Sequence, residues 1–270
     1  MLIAHITDTH ITLPGALAYG KVDTAALLRR CVDELLALDP APELIVHTGD
    51  LVDRGAADEY AHLRAIVAPL KAPLLAIPGN HDERAAMRAA FAAEGYLPHQ
   101  GHLQFTLEYG GLRIVGLDTL VPGQGGGELC GDRLAWLEGA LSAAPRLPTL
   151  VLMHHPPFAT GIAHMDRIGL RGVEGFAAIM RRHEEVEAVL CGHVQRTIHA
   201  RVGGRAAMIG PSPAHQVVLD LRPTGPSAFR LEPPGYMLHH WHDGELVSYA
   251  AVTGDWPGPY PFFDAAGKLL

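Results

Sequence analysis

Short apolar runs in this chain keep ending in the same kinds of polar residue. Ile3–Ile6 leads to Asp8 and His10, Leu44–Val46 to Asp50, and Leu74–Ile77 to Asn80, His81 and Asp82. Leu150–Met153 leads to His154 and His155, and Val189-Leu190 to Gly192 and His193. Runs this short, bounded by glycine and turn residues, read as buried strands. Repeated along one chain, they describe a sheet whose strand ends share a polar site. Leu112–Leu117 adds a further strand. Helix-like stretches alternate with these runs: Thr24–Leu38, Ala57–Leu70, Ala85–Glu94, Arg133–Ala144 and Val173–Arg182. In the first, Leu27, Leu28, Val32, Leu35, Leu36 and Leu38 recur at helical spacing, after Asp23-Thr24 as a cap. Alternating strand and helix predicts an α/β layered domain.

After Gln195 the texture changes. Short β-like runs follow at Ile198–Val202, Ala206–Ile209, Gln216–Leu221, Tyr236–Trp241 and Glu245–Ala250, separated by Pro and Gly. The tail from Gly254 to Phe263 is rich in proline and aromatics and cannot be helical. The expected organisation is a catalytic core over residues 1–210. A C-terminal β-rich, partly extended segment over 211–270 packs on that core or on a partner subunit. Gly123 to Gly127 reads as a mobile loop. It has no strand–Gly-loop–helix context with a Lys, so it is not a phosphate cradle.

Composition narrows the picture. The chain has 270 residues, 48% hydrophobic and 19% charged, enough for a sizeable core. A formal charge of -8 argues against a long nucleic acid or an anionic membrane surface as partner. The three cysteines are widely spaced, which fits a reducing cytoplasm rather than a disulfide framework. No apolar run is long enough to span a bilayer, and no signal peptide is expected. The 17 histidines stand out and raise the prior for a metal site.

The strand-end residues supply the chemistry. Asp8 and His10, two apart, are expected on one side of a strand end, and His193 and Gln195 repeat that spacing. Asp50 offers two oxygens and can bridge two cations. Asn80 gives a carbonyl oxygen and His154 an imidazole nitrogen. This mixed set suits borderline divalent ions such as Mn, Fe, Co or Zn rather than Ca or Mg. Two such ions about 3.5–4 Å apart form a clamp for phosphoryl chemistry, one of them generating hydroxide from bound water at neutral pH. His81 can donate a proton to a leaving oxygen, and Asp53 can hold its other nitrogen.

Taken together, Asp8-Thr9-His10, Gly49-Asp50 with Asp53, Gly79-Asn80-His81-Asp82, His154-His155-Pro156 and Gly192-His193 resemble the calcineurin-like metallophosphoesterase superfamily. The motifs occur in the family's order and span residues 8 to 193. The resemblance implies a four-layer α-β-β-α sandwich with metals at the strand ends. It implies that Asp8 and His10 bind one metal, that Asn80, His154 and His193 bind the other, and that Asp50 bridges them. His154 is preferred to His155 because the family's ligand lies two before the proline. Gly161 to Asp166, Gly169-Leu170 and the Gly258 to Phe263 tail resemble more narrowly the class III cyclic-nucleotide phosphodiesterase and glycerophosphodiesterase group. Members of that group are often dimers or larger, joined through the C-terminal β segment.

One position departs from the family pattern. Its last motif is Gly-His-x-His, and here Gln195 stands where the second imidazole belongs. Gln195 can offer a carbonyl oxygen, a weaker ligand. The expected result is a weaker or more oxygen-rich first metal site that favours harder ions such as Mn.

Other residues take plainer readings. His5 and His47 are out of phase with the ligand face and read as structural. His164, His199 and His215 have no nameable partner. His239, His240 and His242 read as packing or interface residues, Cys191 as a buried thiol, Asp118-Thr119 as a cap or turn, and Arg54 as a surface residue.

The expected function is hydrolysis of a small phosphodiester, a 3′,5′-cyclic nucleotide or a glycerophosphodiester, by a metal-bound hydroxide. The alternatives are a phosphomonoesterase of the same fold and a scaffold that keeps the fold with little chemistry.

Overall fold

The computed structural model describes residues 1–270. The runs that open the sequence become β1 (Leu2–Ile6), β2 (Leu44–His47) and β3 (Leu74–Ala76), then β4 (Phe105–Tyr109) and β5 (Leu112–Gly116). After the short β6 (Gly127–Glu128) come β7 (Thr149–Leu152), the short β8 (Leu170–Arg171), β9 (Val186–Cys191), β10 (Ile198–Val202) and β11 (Arg205–Ile209). The chain closes with β12 (Gln216–Val217), β13 (Phe229–Arg230) and the long β14 (Gly235–His242) and β15 (Glu245–Val252). The helices are α1 (Thr24–Ala37), α2 (Ala57–Val67), α3 (Arg84–Ala90), α4 (Gly131–Ser142), α5 (Ala163–Asp166) and α6 (Val173–Arg182).

Two sheets carry the fold, in the orders β15-β14-β1-β2-β3 and β10-β11-β9-β7-β5-β4. Strands β1, β2 and β3 are parallel, as are β5, β7, β9 and β11. In the second sheet the side chains divide with period two. Ile114, Leu150, Leu152 and Leu190 join the core shared with Ile3, Leu44 and the apolar faces of α1, α2 and α3. Val115, Val151, Val189 and Cys191 face the other way, against Leu137 and Leu141 of α4 and Phe176 and Ile179 of α6. The result is the expected α-β-β-α sandwich. No helix is long and apolar enough to cross a membrane.

Helix boundaries follow local chemistry. The Asp23 side chain accepts from Ala26 N and starts α1, whose buried Leu28, Cys31, Val32 and Leu35 make one stripe. Glu83 accepts from Ala85 N and Ala86 N and starts α3. The predicted helix 85–94 is split: α3 ends at Ala90, Phe91 turns inward, and a 3₁₀ turn covers Ala92–Glu94. Of the run 216–221 only Gln216 and Val217 form strand, paired with Arg230 and Phe229, because Asp220 and Arg222 close a turn there and leave Leu219 and Leu221 exposed.

The C-terminal β segment lies within the first sheet. Strand β14 pairs antiparallel with β1, Ile3 opposite His239 and His5 opposite Met237, and β15 forms the edge. Asp118 does more than cap a turn. It is fully buried, takes Arg84 Nε at 2.6 Å and Nη2 at 2.9 Å, and accepts from Leu103 N and Leu120 N. Gly125, expected in a mobile loop, is held by its carbonyl, which accepts from His155 Nε2 at 3.0 Å.

Candidate metal centre

All nine residues singled out by the sequence for this site converge at one end of the sandwich: Asp8, His10, Asp50, Asp53, Asn80, His81, His154, His193 and Gln195. They reach it by a route that strand alternation does not describe. Strand β1 ends at Ile6 and β9 at Cys191, and the donors sit on left-handed turns beyond. Seven non-glycine residues have positive φ, and five are expected donors: Asp8 (53°), His10 (42°), Asp50 (52°), His193 (71°) and Gln195 (60°). Such conformations cost roughly 1–3 kcal/mol each and persist where the surroundings impose them. Here the surroundings are backbone bonds between neighbouring strand ends, Asp8 N to the Gly49 carbonyl, His10 N to the Asp50 carbonyl and Gly192 N to the His154 carbonyl. The Asp82 carboxylate ties Gly79 N and Leu51 N together and accepts from Tyr60 Oη at 2.7 Å. At Gly79 any Cβ would overlap Asp50, so only glycine lets the Asn80 turn close on that carboxylate.

The donor atoms fall into adjoining groups. His10 Nε2 is 3.9 Å from Asp8 Oδ1 and 3.6 Å from Asp50 Oδ2. His154 Nε2 is 3.3 Å from Asp50 Oδ2 and 3.2 Å from Asn80 Oδ1. Asp50 Oδ2 thus stands between the two imidazoles. Its Oδ1 accepts from His81 N at 2.8 Å, and the Asp8 carboxylate accepts from Thr7 Oγ1 and His193 N.

Hydrogen bonds sort the histidines. His154 Nδ1 donates to the Thr48 carbonyl at 2.7 Å, leaving the Nε2 lone pair free towards Asp50. His193 Nε2 donates to the Ile168 carbonyl at 3.1 Å, which frees Nδ1. His155 has neither nitrogen free: Nε2 donates to Gly125, and Thr119 Oγ1 donates to Nδ1 at 2.8 Å. Although His155 lies beside His154 and His193, it has no lone pair to offer.

One expectation needs correction. Asp53 does hold the second nitrogen of His81, but through its backbone carbonyl, 2.7 Å from Nδ1. Its carboxylate turns instead towards His10 Nδ1, 3.9 Å away. The Gln195 amide does reach the first position, standing 3.0 Å from His10 Nε2 with its nitrogen end first.

The residues fit a cation pair. Gln195 Oε1 and His10 Nδ1 are buried with no hydrogen-bond partner. Rotating the amide by 180° puts Oε1 beside His10 Nε2, an arrangement in which the two lone pairs can ligate one cation. The two buried carboxylates face no Lys or Arg. Burial pushes Asp8 up to about 7, with Asp50 adding and His154 opposing. Burial alone would also raise Asp50, but His154, His81 and His10 outweigh it and hold Asp50 well below its ordinary value. His154 shows the reciprocal effect: burial opposes its charge, Asp50 outweighs burial, and its value rises to about 9. The pocket therefore calls for positive charge, and its mixed N/O donors suit a divalent transition ion.

A cavity of about 380 Å³ opens over these donors. Its walls bring in residues that sequence reasoning left without a role: Tyr19, His164, His215 and Phe229. Tyr19, His215 and Phe229 form a cluster with ring centroids 5.1–5.3 Å apart. The signal was slight. His164 and His215 were histidines without a strand-end context, and Tyr19 carries a positive φ that no periodicity reveals.

A two-sheet α/β sandwich with carboxylate and imidazole donors at its strand ends defines a class, a divalent-metal centre on an α-β-β-α scaffold. A family model described as calcineurin-like phosphoesterase matches residues 1–196, and the chain belongs to that family. It is 37% identical over 272 residues to a probable glycerophosphodiester phosphodiesterase GpdQ of Arcobacter nitrofigilis, covering 100% of both chains. It is 31% identical over 245 residues to the 3′,5′-cyclic adenosine monophosphate phosphodiesterase CpdA of Pseudomonas aeruginosa, covering 90% of this chain and 86% of that one. A dimetal phosphatase from Danio rerio shares the fold, with a TM-score of 0.65, 14% identity and coverage of 94% and 97%.

Proposed function

We propose that the chain is a metal-dependent phosphodiesterase acting on a small diester. The observation that carries this reading is the convergence of the donors on the floor of a cavity with no Lys or Arg in its lining. A phosphomonoester brings a second negative charge, which such sites ordinarily meet with fixed cationic side chains. A diester brings one. The names of the relatives support the same class.

Asp8, His10 and Gln195 would hold one ion, Asn80, His154 and His193 the other, and Asp50 both. When bound, the ions supply positive charge for the phosphoryl oxygens and make a water acidic enough to attack phosphorus. Gln195, offering Oε1 where an imidazole is usual, makes the first position weaker and favours Mn. The protein does the rest. His81 donates through Nδ1–H to the Asp53 carbonyl, which leaves Nε2 for the cavity. Burial opposes charge on His81, but Asp50 and the Asp53 carbonyl outweigh it and raise its value. A protonated Nε2 can then pass its proton to the leaving oxygen. The rings of Tyr19, His215 and Phe229 offer a wall for a flat or apolar substituent, such as the base of a cyclic nucleotide; a glycerophosphodiester would use it less.

The test is a paired assay on protein expressed with Mn. Bis(p-nitrophenyl) phosphate is expected to turn over with kcat/KM roughly tenfold or more above that for p-nitrophenyl phosphate, with metal content near two equivalents. A ratio below one would favour the monoesterase. Bound metal with no turnover of either ester would point to a scaffold.

Residues 1–210 hold every proposed metal ligand, and residues 211–270 add cavity wall and hairpin. We assign the outer face of that hairpin and tail to a second copy of the chain. Val247, Tyr249, Trp256, Tyr260 and Phe262 are exposed there, a run of large apolar groups that water does not favour. Light scattering is expected to give at least twice the 28.9 kDa chain mass, and a monomer at micromolar concentration would count against this. Three cysteines, none in a disulfide, support a cytoplasmic location, which cell fractionation would check.

A further inference from the structure

Beneath the metal centre runs a chain of buried side chains that the proposed chemistry does not use. It starts at the Thr48 carbonyl, which fixes His154 through Nδ1 at 2.7 Å. The Thr48 hydroxyl meets His5 Nε2 at 2.8 Å, His5 Nδ1 meets His239 Nε2 at 3.3 Å, and His239 Nδ1 meets Ser248 Oγ at 2.7 Å. Thr48, His5 and His239 are fully buried. The two imidazoles lie stacked, with centroids 5.5 Å apart and planes 26° from parallel. The chain spans four strands, from the end of β2 through β1 and β14 to the edge strand β15.

Each member can be satisfied. A neutral imidazole has one donor and one acceptor, and hydroxyls rotate to suit either. With the order running from Thr48 to Ser248, each hydroxyl or ring N–H donates to the next group and no buried group is left unpaired. Replacing one member leaves its neighbour buried without a partner, which is why such networks hold a single geometry.

The site gains something specific from that rigidity. Thr48 is followed by Gly49 at φ 95°, a residue free to rotate the peptide between them. The carbonyl of that peptide keeps His154 in the tautomer that aims Nε2 at Asp50. Anchoring the Thr48 side chain removes this freedom. We propose that His5, His239 and Ser248 are positioning residues for the metal centre, acting through Thr48 on His154, so that the C-terminal hairpin is part of the site's support. This rests on the reading of His154 as a metal ligand.

The test is calorimetric titration of Mn²⁺ into the chelator-stripped full-length protein. Wild type is expected to show two binding events. Thr48→Val keeps the shape and loses the hydroxyl, and should weaken one event by roughly tenfold or more, the usual scale for groups that orient a ligand. Thr48→Ser restores the hydroxyl and should restore the affinity. His239→Phe should weaken the same event, and the double variant Thr48→Val/His239→Phe should be no weaker than the worse single one. Thr48→Val binding like wild type, or Thr48→Ser as weak as Thr48→Val, overturns the proposal. Should the buried variants fail to fold, Ser248→Ala at the half-exposed end decides: about a threefold loss supports the strut, and an unchanged titration overturns it. A wild type that binds no Mn²⁺ removes the metal reading and this inference together; two events unmoved by the variants remove the inference alone.

Discussion

Asp50→Asn is expected to leave a folded protein with less than one equivalent of metal and to lower kcat/KM for a diester by roughly 10³-fold or more, about 4 kcal/mol of transition-state stabilisation. The reasoning is atomic. Asp50 Oδ2 lies 3.6 Å from His10 Nε2 and 3.3 Å from His154 Nε2, the one atom near both imidazoles. Oδ1 has a different task, accepting from His81 N. An asparagine keeps an oxygen for that bond, so the turn at Asn80 holds. Its NH₂ has no lone pair and cannot stand between two cations. The charge goes too, and His10 and His154 lose the anion that makes a cation pair affordable in a buried pocket. Metal content after Mn-supplemented expression and the rate with bis(p-nitrophenyl) phosphate read both effects. A variant that keeps two ions and a rate within tenfold of wild type removes Asp50 from the bridging position.

The legibility of this site in the sequence divides along a physical line. Buried strand cores are continuous apolar runs, so β1, β2, β5, β7 and β9 could be read from them. α6 was legible to the residue, because Gly172 before it and the Arg181-Arg182 end both mark boundaries. The donors were legible because chemistry restricts which side chains bind divalent ions. The conformation that gathers them was not. Positive φ at Asp8, His10, Asp50, His193 and Gln195 is imposed by backbone bonds between segments far apart in the chain, and no local pattern encodes it. The same holds for Asp53. Its position three residues after Asp50 placed it beside His81, but only the fold decides between its carbonyl and its carboxylate. His5 and His239 were read as structural and packing residues. Their alignment depends on the antiparallel pairing of β1 with β14, a contact across more than 230 residues.

The loss of His81 should depend on the leaving group, and this separates proton donation from mere positioning. His81→Asn is expected to lower kcat by roughly 10²-fold or more for a diester with an alkoxide leaving group, the usual scale for a positioned general acid. With bis(p-nitrophenyl) phosphate the fall should be within about threefold, because p-nitrophenolate departs without a proton. Asparagine can still bond the Asp53 carbonyl, so the loop keeps its anchor while the second, cavity-facing donor is lost. His215 cannot take over. Burial first, then His81, lowers it to about 4, so it is neutral at working pH. Its ring packs against Tyr19 and Phe229. The comparison needs one alkyl and one nitrophenyl diester under saturating Mn. An equal fall on both would assign His81 to holding the phosphoryl oxygens, with the proton drawn from elsewhere. A fall confined to the alkyl diester fixes the proton on Nε2 of His81, oriented by a carbonyl that the Asp50 loop carries into place.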